Sequence, residues 1–349
     1  MGSEDNYSFR PTTYYEHLYS TIKRSLEFNC EDVECWKKWR DLLKNKLTQL
    51  LGGLDYSSVP LSPVYASSED LGDVIRHKVY YWSDSFSKIP AFLLEPKQKN
   101  GSAVLALHGH GYGKNDICGL DENGNPKSDP YSGYQKSFAL ALAKRGFTVL
   151  APDQAGFGER REEQDSKKGP SQDSCWALST FALLYGQTTI GRRVWDAMRS
   201  LDFLSSLPWV TKSLGVMGIS GGGMISLYVA ALDERVKAAA ISGFINTYYD
   251  SIIRVCRKHC IDNYVPGILA YAEMYDVASL IPPRALYAEN GTKDPIFPVE
   301  GFRKAVPRIR HAYDLLGASG NFEAVEFEGE HEISGPSPYD FLERLLLNP

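Results

Sequence analysis

Residues 214–232 hold the feature that most restricts what this chain can fold into. Leu214, Gly215, Val216 and Met217 read as a buried strand, and Met224, Ile225, Leu227, Val229 and Ala230 read as an apolar helix. Between them stands Gly218-Ile219-Ser220-Gly221-Gly222, followed by Gly223. A strand that turns into a helix over so few residues leaves no space for side chains where it passes its neighbours, so glycines flank the turn. The same turn holds Ser220 at its tip, in a backbone conformation that few non-glycine residues adopt.

The flanking sequence supplies the sheet that such a turn needs. Residues 77–82 and 90–94 read as an antiparallel pair. Further strands are predicted at 103–107, 147–151, 214–218, 236–241, 284–289 and 322–327, with helices at 134–144, 190–204, 222–232, 300–316 and 339–347. This alternation predicts a mostly parallel, doubly wound α/β sheet with helices on both faces. One such domain is expected over residues 74–349. Residues 1–73 read as a helical extension packed on it. There Trp36, Trp39, Leu43, Leu47 and Leu50 share one helical face, behind Glu31, Asp32 and Glu34. A second helix is expected near 14–26 and a loop at 52–73. Insertions at 112–132, 154–187 and 243–283 each follow a predicted strand, so they should gather where ligands enter such sheets, beyond the carboxyl ends of the strands. Their aromatic residues, among them Trp176, Phe181, Tyr185, Tyr248 and Tyr264, either line a pocket or pack the insertions down.

Composition narrows the classes. With 349 residues, 43% of them apolar and 23% charged, the chain can bury a large core and is not disordered. Lys plus Arg total 38 against 43 Asp plus Glu, a net −5, which argues against a nucleic-acid partner. No apolar run approaches the roughly 18 residues of a membrane span, and residues 1–10 are polar, so neither a membrane contact nor a secretory signal is expected. The cytoplasm is the expected location. Six cysteines (Cys30, Cys35, Cys118, Cys175, Cys256 and Cys260) are sparse for this length and are expected as reduced thiols.

A serine hydroxyl needs a base, and the base needs an acid to orient it. Where the serine sits on such a turn, the acid and then the base follow it in the chain. Of the three later histidines, His259 lies in a basic cysteine-flanked segment and His311 inside a predicted helix. His331, in Glu328-Gly329-Glu330-His331-Glu332 directly after the last strand, is the candidate base. Asp294, in the loop after strand 284–289, is the candidate acid, with Glu289 as its rival. The backbone N–H groups of Gly221 and of His110, in Leu107-His108-Gly109-His110-Gly111-Tyr112-Gly113, are the candidate donors to an oxyanion. His108 and His110, two apart, also admit a metal reading, as do Cys256, His259 and Cys260 on one helical face. Each lacks a full ligand set in its own stretch of sequence. No cofactor or metal is expected.

These residues together resemble the α/β-hydrolase superfamily and, within it, the serine esterases of the dienelactone hydrolase and acetyl xylan esterase type. The resemblance runs from about residue 76 to the C-terminus. It rests on the His108-Gly109-His110-Gly111 loop, the Ala151-Pro152-Asp153-Gln154-Ala155-Gly156-Phe157-Gly158-Glu159 segment, Arg192-Arg193-Val194-Trp195-Asp196-Ala197, the Ser220 turn, Asp294 and His331. It implies an α/β-hydrolase fold and hydrolysis of a small-molecule ester through an acyl-enzyme, with Ser220 as nucleophile, His331 as base and Asp294 as acid. Short acyl groups, acetyl or a carbohydrate ester, are the implied substrates. Two departures stand out. Dienelactone hydrolases proper carry a cysteine nucleophile, and the helical extension is not part of the minimal fold. A prolyl-oligopeptidase-type peptidase and a non-catalytic binding protein on the same fold are the rival readings. The sequence leaves the oligomeric state open.

Overall fold

The structure, a computed structural model, describes residues 10–54, 59–255 and 259–347. Its strands are β1 (Val64–Asp70), β2 (Val74–Trp82), β3 (Lys88–Pro96), β4 (Ala103–Leu107), β5 (Thr148–Pro152), β6 (Leu214–Ile219), β7 (Val236–Ser242), β8 (Ala285–Gly291) and β9 (Phe322–Phe327). Among the described residues they form one sheet in the order β1-β2-β3-β5-β4-β6-β7-β8-β9. β1, β2, β3 and β5 pair antiparallel, and every pairing from β5 through β4 to β9 is parallel. This is the mostly parallel, doubly wound sheet expected from the sequence.

The central strands are apolar throughout because both of their faces are covered. Along β4, Ala103, Leu105 and Leu107 enter one core while Val104 and Ala106 enter the other. The first core takes the Thr189–Ser206 helix through Ile190, Val194, Leu201 and Leu204, and the Val299–Leu315 helix through Phe302, Ala305 and Ile309. The second takes Phe138–Lys144 through Phe138 and Leu142, and Ser337–Leu347 through Phe341, Leu342 and Leu346. Thr188 caps the long helix, its hydroxyl accepting from the Gly191 N–H at 2.9 Å.

The N-terminal segment joins the first core. Asp32 caps the helix Val33–Leu50 by accepting from the Cys35 N–H at 2.8 Å, and Trp36, Trp39, Leu43 and Leu47 form its buried face. The Trp36 indole donates to the Ser279 carbonyl at 3.1 Å, and Arg40 and Lys44 both reach Glu234. The helix expected near 14–26 is shorter, Pro11–Thr21. After it the chain turns at Ser25 and Leu26, whose N–H groups donate to the carbonyls of Ala270 and Tyr271.

Two expectations are corrected. Residues 52–73 were expected as a loop, but 64–70 form β1 on the sheet edge. Its sequence, VYASSED, is exposed at every position, so no apolar alternation marks it. Cys30 and Cys35 were expected as reduced thiols, but they are disulfide-bonded. The first turn of the helix brings their Cα atoms to 5.5 Å. Cys118, Cys175 and Cys260 are free. Among the described residues no helix is long and apolar enough to cross a membrane.

Leu43 is fully buried between the N-terminal helix and the first core. Truncation in Leu43→Ala is expected to lower unfolding free energy by about 2–5 kcal/mol, read as a shift in urea midpoint at unchanged slope.

Candidate active site

β6 ends at Ile219, and the helix Gly221–Leu232 begins two residues later. Ser220 joins them at φ 57° and ψ −124°, in the strained region the sequence predicts. The turn is tight on both sides. A Cβ on Gly222 would overlap the Leu107 carbonyl at the end of β4, and one on Gly218 would overlap the carbonyl of Gly222. The Ser220 N–H donates to the Ser242 carbonyl on β7 at 3.1 Å, which fixes the turn to the neighbouring strand.

Asp294 and His331 come from the loops after β8 and β9. The His331 Nδ1 lies 2.7 Å from Asp294 Oδ2, while Asp294 Oδ1 accepts the backbone N–H groups of Ile296 and Phe297 at 2.8 and 2.9 Å. These two amides orient the carboxylate, and the carboxylate orients the imidazole. The ring lies stacked between Tyr134 and Phe297, at centroid distances of 5.6 and 5.7 Å. Its Nε2 has no hydrogen-bond partner among the described residues. Ser220 and His331 line one cavity of about 650 Å³ together with His110, Tyr134, His259, Cys260, Asn263, Ile296 and Phe297.

The other candidates sort by position. Glu289 accepts from the hydroxyls of Ser242, Tyr287 and Ser334 and from the Ser334 N–H, and it makes no bond to His331. Burial pushes its carboxyl up, and these donors hold the loop that carries His331 against β7 and β8. His311 bonds to the Cys30 carbonyl, at the N-terminal segment. His259 does line the cavity, though its Nε2 is spent on the Ser251 carbonyl at 2.7 Å.

The candidate oxyanion loop follows β4. Gly221 opens its helix, where N–H groups have no intrahelical acceptor. The His110 carbonyl is held by the Tyr134 hydroxyl at 2.6 Å, and the Gly109 N–H by the Gln135 side chain at 2.7 Å. His108 belongs to the scaffold. Its Nε2 accepts from the Gln154 N–H at 3.1 Å, which leaves the proton on Nδ1 to donate to the Gly109 carbonyl. It therefore shares no ligand position with His110. Complete burial pushes its imidazole down to about 4.

Sequence reasoning missed Tyr134 and Phe297, which nothing in the spacing marks, and weighed Glu289 as an acid rather than as a brace. The aromatics Trp176, Phe181 and Tyr185 do not line the cavity, and they are exposed. Arg193 and Asp262 were missed as a pair. The buried Arg193 holds Asp262 Oδ2 at 2.5 Å, the Cys175 Sγ at 3.2 Å and the Ala155 carbonyl. Burial works to raise the Asp262 carboxyl, but the charges of Arg193 and His110 outweigh it and hold it down to about 2. Cys256 lies outside the described residues. His259 and Cys260 are not helical, so the helical metal face does not form.

The family model described as acetyl xylan esterase (AXE1) matches residues 58–265, more than half of the chain. "Putative hydrolase YtaP" of Bacillus subtilis (strain 168) is 27% identical over 294 residues, 82% of this chain and 92% of its own. Among solved structures, the "putative acetyl xylan esterase" BF1801 of Bacteroides fragilis NCTC 9343 superposes with a TM-score of 0.76 at 17% identity, covering 94% of this chain and 84% of that one. Acetyl Xylan Esterase 1 of Thermoanaerobacterium sp. JW/SL YS485 gives 0.58 at 18% identity, covering 95% and 97%. These two structures share the α/β-hydrolase fold with the chain.

His108 yields a pH prediction. Its folded value of about 4 lies below its ordinary 6.5, so the unfolded chain takes up the proton first as pH falls. Its stabilising contribution is complete above about 6.5 and is lost as pH drops toward about 4. Glu273, pushed up to about 7 by burial, has the opposite slope and is common to both proteins compared. The stability difference between wild type and His108→Asn, measured by denaturant melts, should therefore shrink as pH is lowered from 7 to about 4.

Proposed function

Because the chain belongs to the acetyl xylan esterase family and is a carboxylic ester hydrolase, we propose that it removes short acyl groups, acetyl above all, from carbohydrate esters through a Ser220–His331–Asp294 triad. The observation that carries this reading is the 2.7 Å contact between His331 and Asp294, with Ser220 and His331 lining one cavity and His331 Nε2 without a hydrogen-bond partner among the described residues.

His331 Nε2 takes the Ser220 proton as Oγ attacks the ester carbonyl. Asp294 keeps the proton of the neutral ring on Nδ1 and stabilises the imidazolium that forms. The N–H groups of Gly221 and His110 receive the developing oxyanion, which their fixed backbone positions stabilise without reorganisation. His331 then gives its proton to the departing alcohol, leaving an acyl-Ser220. It next draws a proton from water, which attacks the acyl carbon, and returns it to Ser220. The cavity volume falls within the range of small-molecule sites and has room for more than an acetyl group. Its apolar wall, Ile296, Phe297 and the Tyr134 ring, suits a short acyl chain or the face of a sugar.

Wild-type protein should release acetate from acetylated xylo-oligosaccharides and hydrolyse p-nitrophenyl acetate. Ser220→Ala and His331→Ala should each lose about 10⁴-fold or more in kcat, and Asp294→Asn about 10⁴-fold. A fluorophosphonate probe should label Ser220. Turnover of a prolyl-peptide amide with negligible ester turnover would instead favour the peptidase reading. Ester hydrolysis that survives Ser220→Ala would sink the triad.

A further inference from the structure

Beside the Ser220 cavity, four side chains from three distant segments converge. They are His110 from the loop after β4, Cys175 at the start of the Cys175–Leu184 helix, and Cys260 and Asp262 from the insertion after β7. One ligand atom from each lies within 4.8 Å of all the others. We propose that these residues form a closed zinc site that clasps two insertions to the oxyanion loop. No metal was expected from the sequence, because no single stretch holds a ligand set. The set forms only when the insertions fold over the sheet.

The geometry is close to what zinc needs. In a tetrahedral site with bonds of about 2.0–2.3 Å, ligand atoms stand roughly 3.3–3.8 Å apart. Cys175 Sγ lies 3.2 Å from Asp262 Oδ2, and His110 Nε2 lies 3.8 Å from the same oxygen. That imidazole nitrogen is buried and, among the described residues, has no hydrogen-bond partner. Two thiols and an imidazole are soft or borderline donors, which favours zinc over calcium or magnesium.

The surroundings fit as well. Arg193 donates to Asp262 at 2.5 Å and to Cys175 Sγ at 3.2 Å, as a group behind the ligands commonly does. Zinc entry releases the two thiol protons to solvent, together with the second imidazole proton of His110 where that ring is charged, and the two thiolates so formed balance the dication. All four positions are filled by protein, which leaves no open place for water or substrate and makes the site structural. Its effect on the reaction is positional. It fixes the side chain of His110 and anchors Cys260, both of which line that cavity.

The test is zinc content and ligand-field spectroscopy on the full chain. Protein purified without chelator from zinc-supplemented medium should carry about one zinc per chain by plasma mass spectrometry. Cys175→Ser and Cys260→Ser should lose it, and Cys118→Ser, altered at a buried thiol elsewhere, should keep it. Should the serine variants fail to fold, wild-type protein answers alone. After stripping with dipicolinate, added Co²⁺ should give the visible bands of tetrahedral thiolate-bound cobalt, and Zn²⁺ should bleach them and raise the melting temperature. No retained zinc together with no cobalt bands overturns the proposal. So does a Cys175–Cys260 disulfide found by non-reducing peptide mapping of protein isolated without air. None of these readouts is ester turnover, so the outcome is independent of the role given to Ser220.

Discussion

The close approach of Gly222 to the carbonyl end of β4 is the constraint on which the rest of the site depends. The helix Gly221–Leu232 can start where it does only because no side chain separates it from Leu107 and His108. That contact does two things at once. It forces Ser220 into its left-handed conformation at the tip of β6, and it sets the first N–H of the helix beside the loop that carries His110. The proposed nucleophile and oxyanion donors are thus placed by one packing event between backbone atoms. Backbone is stiffer than side chain, so their mutual geometry tolerates variation elsewhere in the fold.

The proposed base and acid are placed by a different device. Asp294 and His331 stand on loops after two separate strands, and β8 and β9 are neighbours in the sheet. Their loops are therefore side by side before any side chain makes contact. The two amides on Asp294 and the donors on Glu289 then hold each loop in place. Glu289 has its donors on hydroxyls of β7, β8 and the His331 loop, so its buried carboxyl works as a brace. Placing it one strand-end away from Asp294 is what made it a rival in the sequence. Position along the chain cannot tell a carboxylate at a strand end from one on the loop beyond it; only the partners can.

Much of this was legible in the sequence because it depends on local pattern. Apolar runs such as Ala103–Leu107 must lie between two layers, glycines at 218 and 222 must mark close passage, and Trp36, Trp39, Leu43 and Leu47 must share a face. What escaped notice depends on three-dimensional encounter. β1 has no alternation to read, since an exposed edge strand is held by backbone pairing to β2. Tyr134 and Phe297 stack on His331 from unrelated segments. Trp176, Phe181 and Tyr185 look like pocket walls by composition, yet the Cys175–Leu184 helix and the residue that ends it leave them exposed.

The Arg193–Asp262 pair shows why such encounters matter to the site. Burying two charges costs several kcal/mol per ion, and their attraction only roughly offsets it, so stability alone is a poor reason for them. Arg193 also holds the Ala155 carbonyl and Cys175, and its guanidinium lies 5.0 Å from the Phe157 ring. It thereby joins the start of the second insertion after β5, the Cys175–Leu184 helix within that insertion, and the third insertion to the long helix Thr189–Ser206. A purely apolar contact there could slide. A planar guanidinium with directed bonds permits one arrangement, and a mispaired alternative would leave a charge buried alone. Because Phe157 in turn packs edge-on against His110, the register of both insertions is transmitted to the loop that faces Ser220. The sheet fixes where the chemistry stands, and this buried ion pair fixes what surrounds it.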